Sequence, residues 1–134
     1  MKVYFLIIVI FFISLYSFSD SLEIHCDRPV LIYNNHVGNE WVFDLQIDGK
    51  SYSMDERIEI EAFDTITIIF SVTEIDKISD HGSTSFILKG NELDFNKKYY
   101  SDIEVLVFEN RGRYTGSSAK WKLRIYYTKT AEKE

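Results

Sequence analysis

Two glutamates stand at matching places in this chain. Glu74 follows Ile66, Ile68, Phe70 and Val72 at a spacing of two, and Glu109 follows Ile103, Val105 and Val107 in the same way. Residues two apart in an extended chain share a face, so both carboxylates are expected to point with the apolar side chains at a strand end. A desolvated carboxylate is costly unless something bonds it. Loop N–H groups, or Arg111 and Arg113, can supply those bonds and tie the loops down, which is the expected arrangement. A calcium ion is the second answer. Glu74, Asp76, Asp80 and Glu109, with main-chain carbonyls, form a candidate set for an ion that takes roughly six to eight oxygen ligands. Paired carboxylates also serve acid–base catalysis, but no nucleophile or recognisable cleft accompanies these, so no catalytic residue is assigned.

The stretch Glu74-Ile75-Asp76, continued by Asp80-His81-Gly82-Ser83, resembles a calcium loop of the phospholipid-binding sandwich domains over about ten residues. That resemblance implies calcium-dependent surface binding, although the spacing is short and no aspartate-rich first loop matches. Other motifs fail on spacing. His25, His36 and His81 are scattered and do not form a zinc set. Adjacent Asp80, His81 and Ser83 on a turn cannot face one another as a triad requires. The run Arg111-Gly112-Arg113-Tyr114-Thr115-Gly116 lacks the Gly-Lys-Ser/Thr ending of a phosphate loop. It does present arginine and tyrosine, the types enriched at interface hot spots.

Charge divides the chain. Residues 40–94 hold thirteen acids against four bases, whereas residues 110–129 hold six bases and no acid. Lys120, Lys122 and Arg124 share one face of a strand. With Arg111, Arg113 and Tyr114 they are candidate contacts for a partner, as a basic stripe facing an acidic protein, glycan or anionic lipid. The competing reading is a solubilising face, or a guard against edge-to-edge pairing.

The elements that position these residues read as strands. Trp41, Phe43, Leu45 and Ile47 alternate up to Asp48-Gly49, a two-residue hairpin turn that places Tyr52 and Met54 opposite Leu45 and Phe43. Ile58, Ile60 and Ala62 alternate next, then Ile66 to Val72, then a polar loop over 75–82 before Ser85 to Leu88. Ile103 to Val107 and Ala119 to Tyr127 complete the clear runs, and Leu22 to Tyr33 adds one or two strands broken near Asp27-Arg28-Pro29. Without any sustained 3.6-residue period, the expected fold is all-β: an antiparallel β-sandwich of seven to eight strands and immunoglobulin-like size.

At 134 residues the chain fits one domain, expected over 20–127, with a polar tail at 128–134. Residues 1–19 read as a signal peptide: Lys2, an apolar run from Val3 to Phe18, and small residues at Ser17 and Ser19. The protein is therefore expected to be secreted or periplasmic, with no transmembrane segment after cleavage. One cysteine, Cys26, excludes an internal disulfide framework. A net charge of -6 argues against nucleic acid as partner. The expected function is a non-enzymatic binding module that presents the Glu74–Gly82 and Glu109–Gly116 loops at one end to another protein. A small exported enzyme inhibitor or immunity protein is the alternative, and a calcium-dependent surface-binding domain the third.

Overall fold

The computed structural model describes residues 19–131, so the expected signal segment lies outside the described residues except for Ser19. The described chain is all-β, with nine strands in two antiparallel sheets, an arrangement consistent with a β-sandwich. In order these are β1 (Ser21–Cys26), β2 (Val30–Asn34), β3 (Trp41–Ile47), β4 (Lys50–Tyr52) and β5 (Ile58–Glu61). They are followed by β6 (Ile66–Glu74), β7 (Asp80–Leu88), β8 (Lys98–Phe108) and β9 (Ser118–Thr130). Short 3-10 turns occupy Gly90–Glu92 and Gly112–Tyr114.

One sheet runs β4-β3-β6-β7. Its first hairpin turns at Asp48 and Gly49, both at positive φ (47° and 81°), as a two-residue turn between twisted strands requires. The Asp48 carboxylate also accepts a bond from the Thr67 N–H at 2.8 Å, which ties the hairpin to β6. Tyr52 pairs with Leu45 as expected, but β4 ends there. Met54 lies in the turn that carries the chain to the other sheet, so the upper half of β3 has no partner on that side.

The second sheet is built around β9. Along one side β9 pairs with β8 from Ser118 to Thr128, and along the other with β2 near its start and β1 near its end. β1 and β2 are thus one edge of the sheet, interrupted at Asp27-Arg28-Pro29, with β5 added outside β1 only. β9 is an interior strand and guards no edge, contrary to one reading of its lysines. It also continues past Tyr127 to Thr130, where Lys129 is buried and reaches Asp20 at 3.3 Å.

Alternation puts the core where the pattern predicts. Leu22 and Ile24, Leu45 and Ile47, Ile66 to Val72 at every second position, Val105 and Val107, and Leu123 and Ile125 all bury their side chains between the sheets. Phe70 is the largest side chain fully buried there. The sheets draw together at β7 and β8, where the Thr84 hydroxyl donates to the Glu104 carbonyl at 2.7 Å. Gly82 sits at this seam, and a Cβ there would fall on the Leu106 carbonyl. β7 begins at Asp80, although its first residues read as loop, because the β6 ladder runs from Glu74–Asp80 onward, and Gly82 in this stretch also packs against β8.

Candidate functional site

The loops after β2, β6 and β8 meet at one end of the molecule. The Ile75 N–H donates to the Glu40 carbonyl at 2.7 Å, and the Asn35 N–H to the Ser118 carbonyl at 3.0 Å. The β6–β7 and β8–β9 hairpins, similar in sequence, join directly. Asp80 Oδ1 accepts from both the backbone N–H and the side-chain Nδ2 of Asn110, at 3.1 and 3.0 Å.

Glu74 and Asp80 face each other across the first pair of the β6–β7 ladder and are 3% and 1% exposed. Glu74 Oε2 and Asp80 Oδ2 are both buried without a hydrogen-bond partner. Burial pushes the Glu74 carboxyl above its ordinary range. The backbone N–H groups of Glu40 and Asn39 pull it down, while the negative charges of Asp76 and Asp80 push it further up. A proton held on Glu74 would let one acid donate toward the other, the usual resolution of two carboxyls in one dry site.

The lid over this pair is the β2–β3 loop. Asn34 closes it, donating from Nδ2 to the Gly38 carbonyl at 2.6 Å and accepting from the Val37 N–H at 3.0 Å. Gly38 has φ 99°, and a Cβ there would strike the Glu74 carboxylate. Only glycine meets both demands.

The four carboxylates proposed as a calcium set do not converge. Asp76 instead accepts from the Ile78 N–H at 2.7 Å, and half-buried Glu109 from the Arg111 N–H at 3.3 Å. Among the described residues no group of three or more His, Cys, Asp or Glu side chains could hold a metal ion. Of the four acids two meet, Glu74 and Asp80, and the other two accept bonds from their own loops.

The basic residues also separate into two groups. Arg124 grips Asp102 with two bonds, at 2.7 and 2.8 Å, Lys122 lies 3.9 Å from the same carboxylate, and Lys120 reaches Glu104 at 3.1 Å. Asp102 is held below the usual carboxylate range by the bond from Arg124. The stripe is therefore cross-strand pairing with β8 and is largely neutralised. Arg111 and Arg113, among the described residues, form no ion pair. Arg113 lies over the Tyr114 ring at 5.6 Å, and Tyr114 stacks on His36 at 4.3 Å.

Beside that stack the outer face of the β2-β9-β8 sheet carries apolar side chains among its ion pairs. Tyr33, Leu106 and Phe108 are all exposed there, and the Tyr33 hydroxyl meets Ser118 Oγ at 3.1 Å. Sequence reasoning missed three members of this end: Asn110, which joins the hairpins, Gly38 over Glu74, and His36 under Tyr114. A signal existed only for Gly38, in the turn-rich run Asn34 to Asn39. No protein-family model matches the chain, and no curated protein matches it in sequence.

Proposed function

We propose that the chain is a secreted or periplasmic, non-enzymatic binding module of immunoglobulin-like size whose loop end engages a protein partner. The observation that carries this reading is the exposed Arg113–Tyr114–His36 stack with Tyr33 and Phe108 beside it. Large aromatic side chains and uncommitted arginines deliver the most contact energy per residue at protein interfaces. The part-buried linkage from Asp80 to Asn110 fixes the two hairpins against each other, so the stack is held on a rigid base.

The test is site-specific photo-crosslinking in extracytoplasmic extract. A crosslinker replaces Tyr114 in one variant and Asn91, on an exposed turn at the opposite end, in another. The expected result is a discrete protein adduct from position 114 that Arg113→Ala abolishes. Equal adducts from both positions, or an adduct indifferent to Arg113→Ala, would overturn the reading.

A further inference from the structure

The side of the molecule away from the β7–β8 seam is open, and the opening has the form of a missing strand. β5 covers β1 and stops, so the outer edge of β2 is unpaired among the described residues. All five residues of β2, Val30 to Asn34, are exposed, four of them large and apolar. An exposed apolar edge is a liability that proteins ordinarily blunt. Here only Pro29 before the strand and the bulge at Ile32 interrupt it.

Both faces of the sheet are recessed at this same break. On the inner face, between the Asp27-Arg28-Pro29 break and the unpartnered half of β3, lies a cleft of about 500 Å³ floored by Phe43, Tyr52, Met54 and Trp121, with Asp27, Arg28 and Asp55 also lining it. On the outer face a smaller recess of about 210 Å³ is lined by Asp27, Arg28, Val30, Lys122 and Arg124, three bases against one acid. Arg28 forms no ion pair among the described residues, and the nearest acid to Lys122 is 3.9 Å away. An added strand sends alternate side chains to opposite faces. Apolar residues would enter the inner cleft while acidic ones met Arg28, the base of the outer recess that no acid among the described residues pairs.

The geometry points to β2 as the acceptor for an extended segment of a partner protein, alternating apolar and acidic residues, that adds to the sheet in continuation of β5. Main-chain bonds to the free edge give such pairing its affinity and the alternating pockets its specificity. A second copy of this chain is the weaker occupant. β2, Val30 to Asn34, carries no acid to meet Arg28. The inference concerns a different surface from the loop end and stands apart from the reading given for it.

An acetylated, amidated octapeptide alternating glutamate with valine or phenylalanine is the probe, and the same residues with all apolar ones contiguous are the control. Binding is read by the tryptophan fluorescence of the Trp41–Trp121 pair and by amide hydrogen exchange on the intact protein. The expected result is saturable binding of the alternating peptide, slowed exchange at 30–33, and affinity reduced about tenfold or more by Arg28→Glu. Arg28 is exposed, so that variant keeps the fold. No binding at about 1 mM peptide, equal binding of the control, protection at 41–44 instead, or dimerisation of the chain through β2 would each overturn the proposal.

Discussion

Replacing Glu74 with glutamine tests whether the acid pair at the loop end is a strained site held by a proton. Glu74 is 3% exposed, and its Oε2 and the Oδ2 of Asp80 across the ladder are both buried without partners. A buried polar group left unsatisfied costs about 1–3 kcal/mol. Glutamine keeps an oxygen for the Asn39 and Glu40 N–H groups and turns an N–H₂ toward Asp80, satisfying both faces without a charge. The pH dependence follows from the sign of the shift. Because the folded carboxyl titrates above its ordinary 4.5, the native state binds this proton more tightly than the unfolded chain does. The stability that Glu74 contributes is present below that value and is lost as pH rises through the raised folded pKa. Glutamine undergoes no such loss. Glu74→Gln is therefore expected to match the wild type near pH 4 and to exceed it by about 1–3 kcal/mol near pH 8, at about 4 °C in Tm per kcal/mol. Thermal unfolding of both proteins followed by circular dichroism across that range measures the difference. A difference that does not change with pH, or a variant less stable than the wild type at pH 8, would refute the reasoning.

Gly38→Ala should cost about 1–3 kcal/mol in urea unfolding, because the new Cβ is strained at φ 99° and displaces the Glu74 carboxylate. In the Glu74→Ala background, where the obstructing carboxylate is gone, that cost should shrink. Gly82→Ala should destabilise by a similar amount, about 1–3 kcal/mol, by forcing β7 away from the Leu106 carbonyl. The Cys26 thiol, pushed up to about 11 by burial and by Asp27, should alkylate with iodoacetamide far more slowly than free cysteine at pH 8, and rapidly only in denaturant. Millimolar calcium should leave the melting temperature unchanged, since Asp76 and Glu109 are committed to their own loops. A rise of several degrees would return these carboxylates to a metal.

Period two in the sequence was enough to place most of the fold. Leu45, Ile66 to Val72 and Leu123 to Tyr127 declare their strands because one face is buried and the other wet, which alternation records directly. A strand whose buried positions are not apolar leaves no such record. Asp80 to Ser83 read as loop because the residues turned inward there are Asp80 and Gly82. Edge position was illegible for a related reason: Lys120, Lys122 and Arg124 look the same whether they guard a free edge or pair with Asp102 and Glu104 on the next strand. At the loop end the inward turn of Glu74 followed from parity, but its companion could not. Asp80 becomes its opposite number only through the length of the β6–β7 turn, and Asn110 joins them from thirty residues away.

The place of β9 has a consequence for how the chain acquires its shape in time. β9 follows every strand it pairs with, and β1 must wait from Ser21 for Thr130. Four of the five strands between Trp41 and Leu88, all but β5, close on near neighbours in sequence and can form as soon as they are made. The other sheet has no centre until the last strand arrives. Contacts this distant make folding slow, and until β9 docks the apolar β1 and β2 segments stay open to wrong partners. Until β9 is made, the only strand pair open to that sheet among the described residues is β1 with β5.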